Sequence, residues 1–390
     1  MQPETIAEFG EHQHVQVAQP ASAAELGQIV RDAAAQGIAV FPLGGRTMLH
    51  IGYRPNKPGV GVDLRNLDQV IDYPARDMTI TVQAGITIAK LQEILAKENQ
   101  QLPIDVPNPE QATLGGAIAV NASGPRRYGY GTLRDYVIGI SFINDQGQEV
   151  KAGGRVVKNV AGYDLMKLQI GALGTLGIIT QATLKLRPIP EASSTVVFDC
   201  PETQLAARLD DLHRSPTRPI SLDVWTTQKG YYQILVEFEG NREGVEWQVR
   251  TLNQPGAQAT SSTGPVACAP DWCEVRRYTF RANTLPSRLA GFMSIARSIS
   301  IPTLHAHAGN GILYSHFDDL TLDQARTMLK TLQDAARPQG NVVVIRCPVE
   351  WKSELPIWGK PRGDYALMKR VKQALDPGGI FNPGRFVDGM

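Results

Sequence analysis

At 390 residues the chain is too long for one ordinary domain, and 42% apolar with 20% charged residues is the composition of a folded protein. Thirty-nine basic against 38 acidic side chains leave a net charge of +1, too little to neutralise a run of phosphates, which excludes nucleic-acid binding as a main role. Four cysteines, no membrane-length apolar run and no charged-then-apolar start exclude a disulfide framework and a transmembrane segment, and predict a cytoplasmic chain.

In chain order, Ser22-Ala23-Ala24-Glu25 has the spacing of a capping box. It predicts a helix to Gln36, with Gly37 as the left-handed residue that ends it. Ile38 to Phe41 predicts a buried strand stopped by Pro42, and 43–58 a loop. Val60 to Leu64 and Met78 to Val82 predict two more strands. Ile88, Leu91, Ile94 and Leu95 share one helical face. Residues 102–136 lack clean periodicity, and an irregular stretch of that length is usually functional. Val137 to Ile143 and Gln148 to Ala152 flank a turn and predict a hairpin; Ile178 to Leu186 predicts a strand closed by Arg187-Pro188. A domain boundary is expected near residue 190.

Beyond it, strands are predicted at Thr195 to Phe198, Leu222 to Trp225, Gln233 to Phe238, twice within 303–315, and at Val342 to Arg346. Helices are predicted at Thr203 to His213, Glu243 to Leu252, Leu289 to Ser298 and Leu322 to Arg337, with a loop over 254–270. That order suits an α+β lobe with helices on one face of a mostly antiparallel sheet.

Three segments of the first half set small residues beside polar anchors. Pro42-Leu43-Gly44-Gly45-Arg46-Thr47 exposes backbone N–H groups that can hold phosphate oxygens, and reads equally as a plain strand-end turn. Thr113-Leu114-Gly115-Gly116 to Asn121-Ala122-Ser123-Gly124 is either a small-faced helix against a flat ligand or a tightly packed internal helix. Val160-Ala161-Gly162-Tyr163-Asp164-Leu165, followed by Gly171 to Ile179, suggests a strand edge against a ring system or a bulged strand.

In order and wording these segments resemble the FAD-binding domain of the vanillyl-alcohol oxidase/p-cresol methylhydroxylase (PCMH-type) family, over nearly all of residues 15–190. The Val160–Leu165 and Gly174–Ile178 wording, with the tail Leu375 to Phe386, is similar to a branch containing glycolate oxidase and D-lactate and 2-hydroxyglutarate dehydrogenases. The resemblance implies an α+β fold. A PCMH-type FAD-binding domain of two α+β subdomains spans 1–190, an α+β cap with an antiparallel sheet spans 191–350, and the tail 351–390 packs back toward the FAD domain.

It also implies FAD as cofactor. Pro42, Gly44, Gly45, Arg46 and Thr47 would hold the pyrophosphate, with Arg127 near it. Thr113, Gly115, Gly116, Ser123 and Gly124 would meet the pyrophosphate and the flavin side, continued by Tyr128, Gly129 and Thr132. Gly174, Gly177, Ile178 and Ile179 would lie along the rings. Covalent members carry a His after the paired glycines; Arg46 stands in that slot, which implies a non-covalent flavin.

Catalytic members of the branch carry a metal-binding His-Ala-Gly-Asp-Gly-Asn-x-His motif and a later Glu-His-Gly. Here the first reads His307-Ala308-Gly309-Asn310-Gly311-Ile312-Leu313-Tyr314, and Cys347-Pro348 stands where the second is expected. His305 and His307 alternate on one strand face and could still bind a metal, but two histidines without further ligands more often stay unmetallated, so no metal is assigned. His305, His307 and Arg281 are the candidate catalytic residues, and Arg276 and Arg277 are further candidates to clamp a carboxylate, or equally a solvated strand edge. The resemblance implies the FAD-binding subunit of a glycolate oxidase. Its partners would be a catalytic FAD paralogue and an iron–sulfur subunit, its substrate a small 2-hydroxy acid, and any membrane contact would come through partners. The alternatives are a stand-alone FAD-dependent 2-hydroxy-acid dehydrogenase and a flavin-free structural subunit.

Overall fold

The computed structural model describes residues 2–9, 14–154, 164–227, 230–252, 256–264, 276–299, 302–360 and 362–390. The expected Lys158–Tyr163 segment and Cys268 and Cys273 lie outside them. The chain divides into two compact units: 1–123 with 132–188 and 361–390, and 124–131 with 189–360.

The first unit begins with β1 (Gln2–Thr5) and β2 (His14–Ala18), then α1 (Ala23–Gln36), β3 (Ala39–Leu43) and β4 (Gly59–Asp63). The Ser22 hydroxyl accepts the Glu25 N–H as a capping box requires, but the Glu25 carboxylate accepts from Ala21 N–H and not from Ser22. Gly37 has φ +66° and closes α1 as expected. The four strands order as β1-β2-β4-β3, with β2, β4 and β3 parallel. Pro42 does not stop β3 but lies within it, opposite Val62. β3 is tolerant of proline because it is the sheet's edge strand. That edge is covered by the tail: Val40 N–H donates to Ile380 O at 2.7 Å and Asn382 N–H to Val40 O at 3.1 Å.

A second sheet combines β5 (Val70–Asp72), β6 (Thr79–Gln83), β8 (Val137–Ile143), β9 (Glu149–Gly153) and β10 (Ile178–Lys185) in the order β5-β6-β10-β8-β9. All its pairs are antiparallel, and β8 and β9 form the expected hairpin. Between them, β7 (Gln100–Gln101) pairs with β11 (Arg187–Pro188). Helix α2 (Ile88–Ala96) buries Ile88, Leu91 and Leu95, and α3 (Leu114–Val120) rises from the irregular stretch. The tail contributes a helix at Tyr365–Leu375. There Lys372 pairs with the fully buried Asp376 carboxylate and donates to Thr175 O at 2.7 Å and Phe381 O at 3.0 Å. Asp376 in turn accepts the Ile380 and Phe381 N–H groups.

The second unit is an eight-stranded antiparallel sheet. Its strands are β12 (Ala192–Pro201), β13 (Ser221–Thr226), β14 (Tyr231–Gly240), β15 (Gln258–Thr263), β16 (Tyr278–Asn283), β17 (Thr303–His307), β18 (Ile312–Phe317) and β19 (Asn341–Arg346). They order as β15-β12-β14-β13-β17-β18-β16-β19. β15 occupies part of the expected 254–270 loop. All six of its residues are exposed, so no apolar alternation announced a strand, and backbone pairing to β12 holds it at the edge. Helices at Leu205–Arg214, Arg242–Leu252, Leu289–Ile299 and Leu322–Ala336 pack on the sheet. Strand alternation sends Leu222, Val224, Ile234, Val236, Leu304 and Ala306 to one apolar face and sets Asp223, His305 and His307, with Trp225 and Leu235 among them, on the opposite one. Among the described residues no helix is long and apolar enough to cross a membrane.

Candidate functional site

A cleft opens in the first unit, with about 880 Å³ of empty space that includes the open solvent at its mouth. β3 and the turn after it contribute Pro42, Gly44, Gly45, Arg46 and Thr47; the start of α3 contributes Thr113, Gly115 and Gly116. The approach to β10 contributes Gly174, Gly177, Ile178 and Ile179. The tail adds Asn382 and Arg385, which sequence reading did not assign to the site.

Glycine is needed here for two different reasons. A Cβ on Gly45 would lie 1.7 Å from Gln111 O, one on Gly44 2.1 Å from Thr113 Oγ1, and one on Gly115 2.7 Å from Ala84 Cβ. These three glycines let parts of the protein touch one another. This corrects the expectation that 44–45 and 115 are small simply to leave amides open to a phosphate. Gly116 is different: the one described atom within 4 Å of a Cβ there is Thr113 Oγ1 at 3.2 Å, the same oxygen that accepts the Gly116 N–H and caps α3.

Two arginines reach this cleft. Arg46, at φ +59°, pairs with Glu4 and lies 3.5 Å from Asp63, so carboxylates already meet much of its charge. Burial raises the Asp63 pKa, but hydrogen bonds from Arg65 and the nearby Arg65 and Arg46 charges outweigh it and hold the carboxyl below its usual range. Arg46 Nε is nonetheless buried without a hydrogen-bond partner among the described residues, as is Asn382 Oδ1. Arg385 donates to Leu49 O at 2.7 Å and Ile51 O at 2.6 Å, and burial pushes its guanidinium down to about 10.

Ser123, Gly124, Arg127, Tyr128, Gly129 and Thr132 do not line the cleft. Residues 124–131 belong to the second unit. There Gly129 N–H donates to Ile220 O at 3.0 Å, and a Cβ on Gly129 would lie 2.7 Å from Ile220 Cα. The Tyr128 ring lies where a Cβ on Gly309 would come within 2.5 Å. Thr132 is engaged with Asp135 in a capping box over Leu133–Tyr136. Tyr128, Gly129 and Thr132 thus have packing or capping tasks that their residue types do not distinguish from ligand binding.

On the polar face of the second unit, register aligns Trp225 with His305, His305 with Tyr314, and Tyr314 with Arg281. The candidate residues His305, His307 and Arg281 therefore share one face. Sequence reading missed Asp223, directly opposite His307. Its signal was one acid alternating with Leu222 and Val224. Asp223 Oδ2 lies 2.9 Å from His305 Nε2, and Oδ1 lies 3.2 Å from His307 Nδ1. All three residues are no more than 2% exposed. Burial alone would raise the Asp223 pKa, but the His307 charge and hydrogen bonds from both histidines bring it to about 2. The Trp225 ring stacks on His305 with centroids 3.6 Å apart.

Arg281 Nε is buried without a hydrogen-bond partner among the described residues. Arg276 instead reaches Thr303 and Asp318, and Arg277 lies over the Tyr278 ring. Cys347 is buried, and desolvation pushes its thiol up to about 11, so it supplies neither a base nor a thiolate at neutral pH.

Residues 15–153 match the family described as FAD binding domain, and residues 359–386 match the C-terminal domain of FAD linked oxidases. The chain is 38% identical to glycolate oxidase subunit GlcE of Escherichia coli, over 84% of this chain and 87% of that protein. It is 33% identical to a D-2-hydroxyglutarate dehydrogenase of Xanthomonas citri pv. viticola, over 95% of this chain and 89% of the relative. Among solved structures, alkyldihydroxyacetonephosphate synthase superposes with a TM-score of 0.67 at 18% identity, covering 94% of this chain and 75% of that one, a likeness of fold.

Proposed function

This chain belongs to the FAD-linked oxidase family, and on that premise we propose that it is the FAD-binding subunit of a multi-subunit glycolate oxidase, acting in the oxidation of glycolate to glyoxylate. The observation that carries this reading is the first unit's cleft, whose walls fall largely in the matched FAD binding domain. The residues there fit the cofactor: Gly116 puts no side chain on the cleft wall, and Arg46 Nε and Asn382 Oδ1 are buried polar atoms without a hydrogen-bond partner among the described residues. Bound FAD supplies the hydride acceptor. Arg46 offers an N–H to its anionic part, Asn382 accepts a hydrogen bond, and the apolar wall at Ile178 and Ile179 excludes water. With Arg46 where covalent members carry histidine, the flavin is held without a covalent bond.

Oxidation of a 2-hydroxy acid also needs a base for the hydroxyl proton, worth about 10²–10⁴ in rate. Tyr314 and Cys347 stand at places where the catalytic branch carries metal-site residues. The one motif histidine retained, His307, and its strand neighbour His305 are both bound to Asp223. The subunit therefore depends on a catalytic FAD paralogue, with an iron–sulfur subunit carrying electrons onward. The test is turnover of glycolate by the purified, FAD-loaded chain with an artificial electron acceptor. Little or none is expected alone, with activity appearing when the paralogue is added. Robust activity of the isolated chain would favour the stand-alone dehydrogenase, for which the buried Asp223–His305–His307 cluster, on the same sheet face as Arg281, is the supporting observation. Acid precipitation should release the flavin into the supernatant; a chain purified free of flavin that also fails to take up added FAD would sink both readings.

A further inference from the structure

We propose that Asp223, His305 and His307 bind one divalent transition-metal ion of the zinc class on the polar face of the second unit. The ligand set differs from the one the catalytic branch implies. Only His307 belongs to that motif, while Tyr314 and Cys347 stand at the other places and Asp223 comes from a separate strand.

Geometry carries the proposal. β13 and β17 are antiparallel neighbours with Asp223 opposite His307, and His305 is two residues back on the same face. One potential ligand atom from each of the three lies within 4.8 Å of the other two. Four-coordinate zinc with bonds of about 2.0–2.1 Å spaces its ligands by about 3.3 Å, the edge of the tetrahedron. The separations from the Asp223 oxygens to His307 Nδ1, 3.2 and 3.3 Å, and to His305 Nε2, 2.9 Å, lie close to that edge. Small shifts of the side chains would open the trio around an ion. Two imidazoles and a carboxylate suit zinc, cobalt or iron(II) and disfavour magnesium and calcium, which take oxygen ligands.

Electrostatics supports the geometry. A carboxylate 2% exposed has lost its hydration and needs a compensating cation. A divalent ion would supply it on the atoms that now share hydrogen bonds. The Trp225 ring, stacked on His305 at 3.6 Å and 13° between planes, fixes one ligand's orientation. The Tyr314 ring meets His307 edge-on with centroids 5.5 Å apart. Such surroundings hold metal ligands in place. Three protein ligands leave a fourth position for water or an anion.

The test uses the full chain, stripped with a chelator and then titrated with cobalt(II) and with zinc. One cobalt per chain is expected, with the intense visible absorption of a four-coordinate ion, displaced by one equivalent of zinc. Asp223→Asn and His305→Gln should each weaken binding at least tenfold. His305→Gln retains a hydrogen-bonding side chain, and its melting temperature checks that it folds. FAD content, measured on the same samples, should not change, which separates this proposal from the flavin reading. A wild-type chain that takes up neither metal, or that binds with unchanged affinity in both variants, would overturn it and leave the cluster as a hydrogen-bonded ion pair.

Discussion

The cleft of the first unit and the polar sheet face of the second concentrate chemistry in opposite ways. Around the cleft the decisive atoms belong to the backbone: Gly44, Gly45 and Gly115 bring segments into contact, and few side-chain polar atoms reach the space. On the sheet face they belong to side chains, Asp223, His305, His307, Tyr314 and Arg281, presented by strands whose frame depends only on alternation. A binding site made of close backbone contacts changes little without failing. A face made of side chains can exchange one residue at a time while the sheet stays intact. The matched family segments, 15–153 and 359–386, fall mostly in the first unit, in keeping with that difference.

The sharpest way to break the comparison is to open the first unit from its tail. Asp376→Ala leaves Lys372, 12% exposed, without its buried carboxylate and frees two N–H groups. Removing one partner of a buried pair costs about 3–5 kcal/mol. Chemical denaturation should show that loss together with lost flavin, whereas an unchanged midpoint would mean the tail does not close the unit. Gly45→Ala comes next. Its Cβ would stand 1.7 Å from a carbonyl oxygen that cannot retreat without moving the backbone, so a loss of about 3 kcal/mol is expected in the same measurement.

The second unit should respond to pH. Burial brings His316 from 6.5 down to about 4, with His305 and Arg276 adding like charge, while its Nδ1 meets Thr279 Oγ1 at 3.1 Å. Its folded pKa lies below the unfolded one, so the unfolded chain takes the proton first. The stability it contributes is whole above about pH 6.5 and falls as pH drops toward 4, by about 3 kcal/mol in all at 1.36 kcal/mol per unit. Asp223, held at about 2 against its usual 3.8, adds its own loss only below that window. Melting temperatures from pH 7 to 4 should decline in the wild type and flatten in His316→Asn; parallel curves would remove His316 as the cause.

Gly116→Val gives the smallest effect and the finest contrast. A Cβ there meets Thr113 Oγ1 at 3.2 Å, a tight contact that a small shift of that side chain relieves, so the flavin-free chain should lose little in melting temperature, while FAD affinity falls about tenfold, or about 1.4 kcal/mol. Flavin fluorescence titration reads it. A variant that misfolds like Gly45→Ala would mean Gly116 also serves internal packing.

The glycine segments were legible as short motifs in a set order, while their contacts with Gln111, Thr113 and Ala84, tens of residues away, were not. Arg385 and Asn382 were not assigned to the cleft because they arrive from the far end of the chain, and the tail's wording named a family without naming a neighbour. Asp223 was hidden for the same reason: its partners lie 82 and 84 residues away, and only strand register joins them. Thr132 and Gly129 do not line the cleft, and a cap and a close backbone approach call for the same residue types as a ligand contact.

The tail's hold on the cleft also sets a clock for synthesis. Leu49 is made early, and Arg385, which binds its carbonyl, follows 336 residues later. At about 5–20 residues per second, the ribosome takes about 20–70 s to cover that interval. Until the last stretch emerges from the exit tunnel, β3 lacks the partner that covers its edge, and the nascent cleft lacks a wall. A chain truncated before Ile380 is therefore expected to leave β3 uncovered and to hold FAD less well.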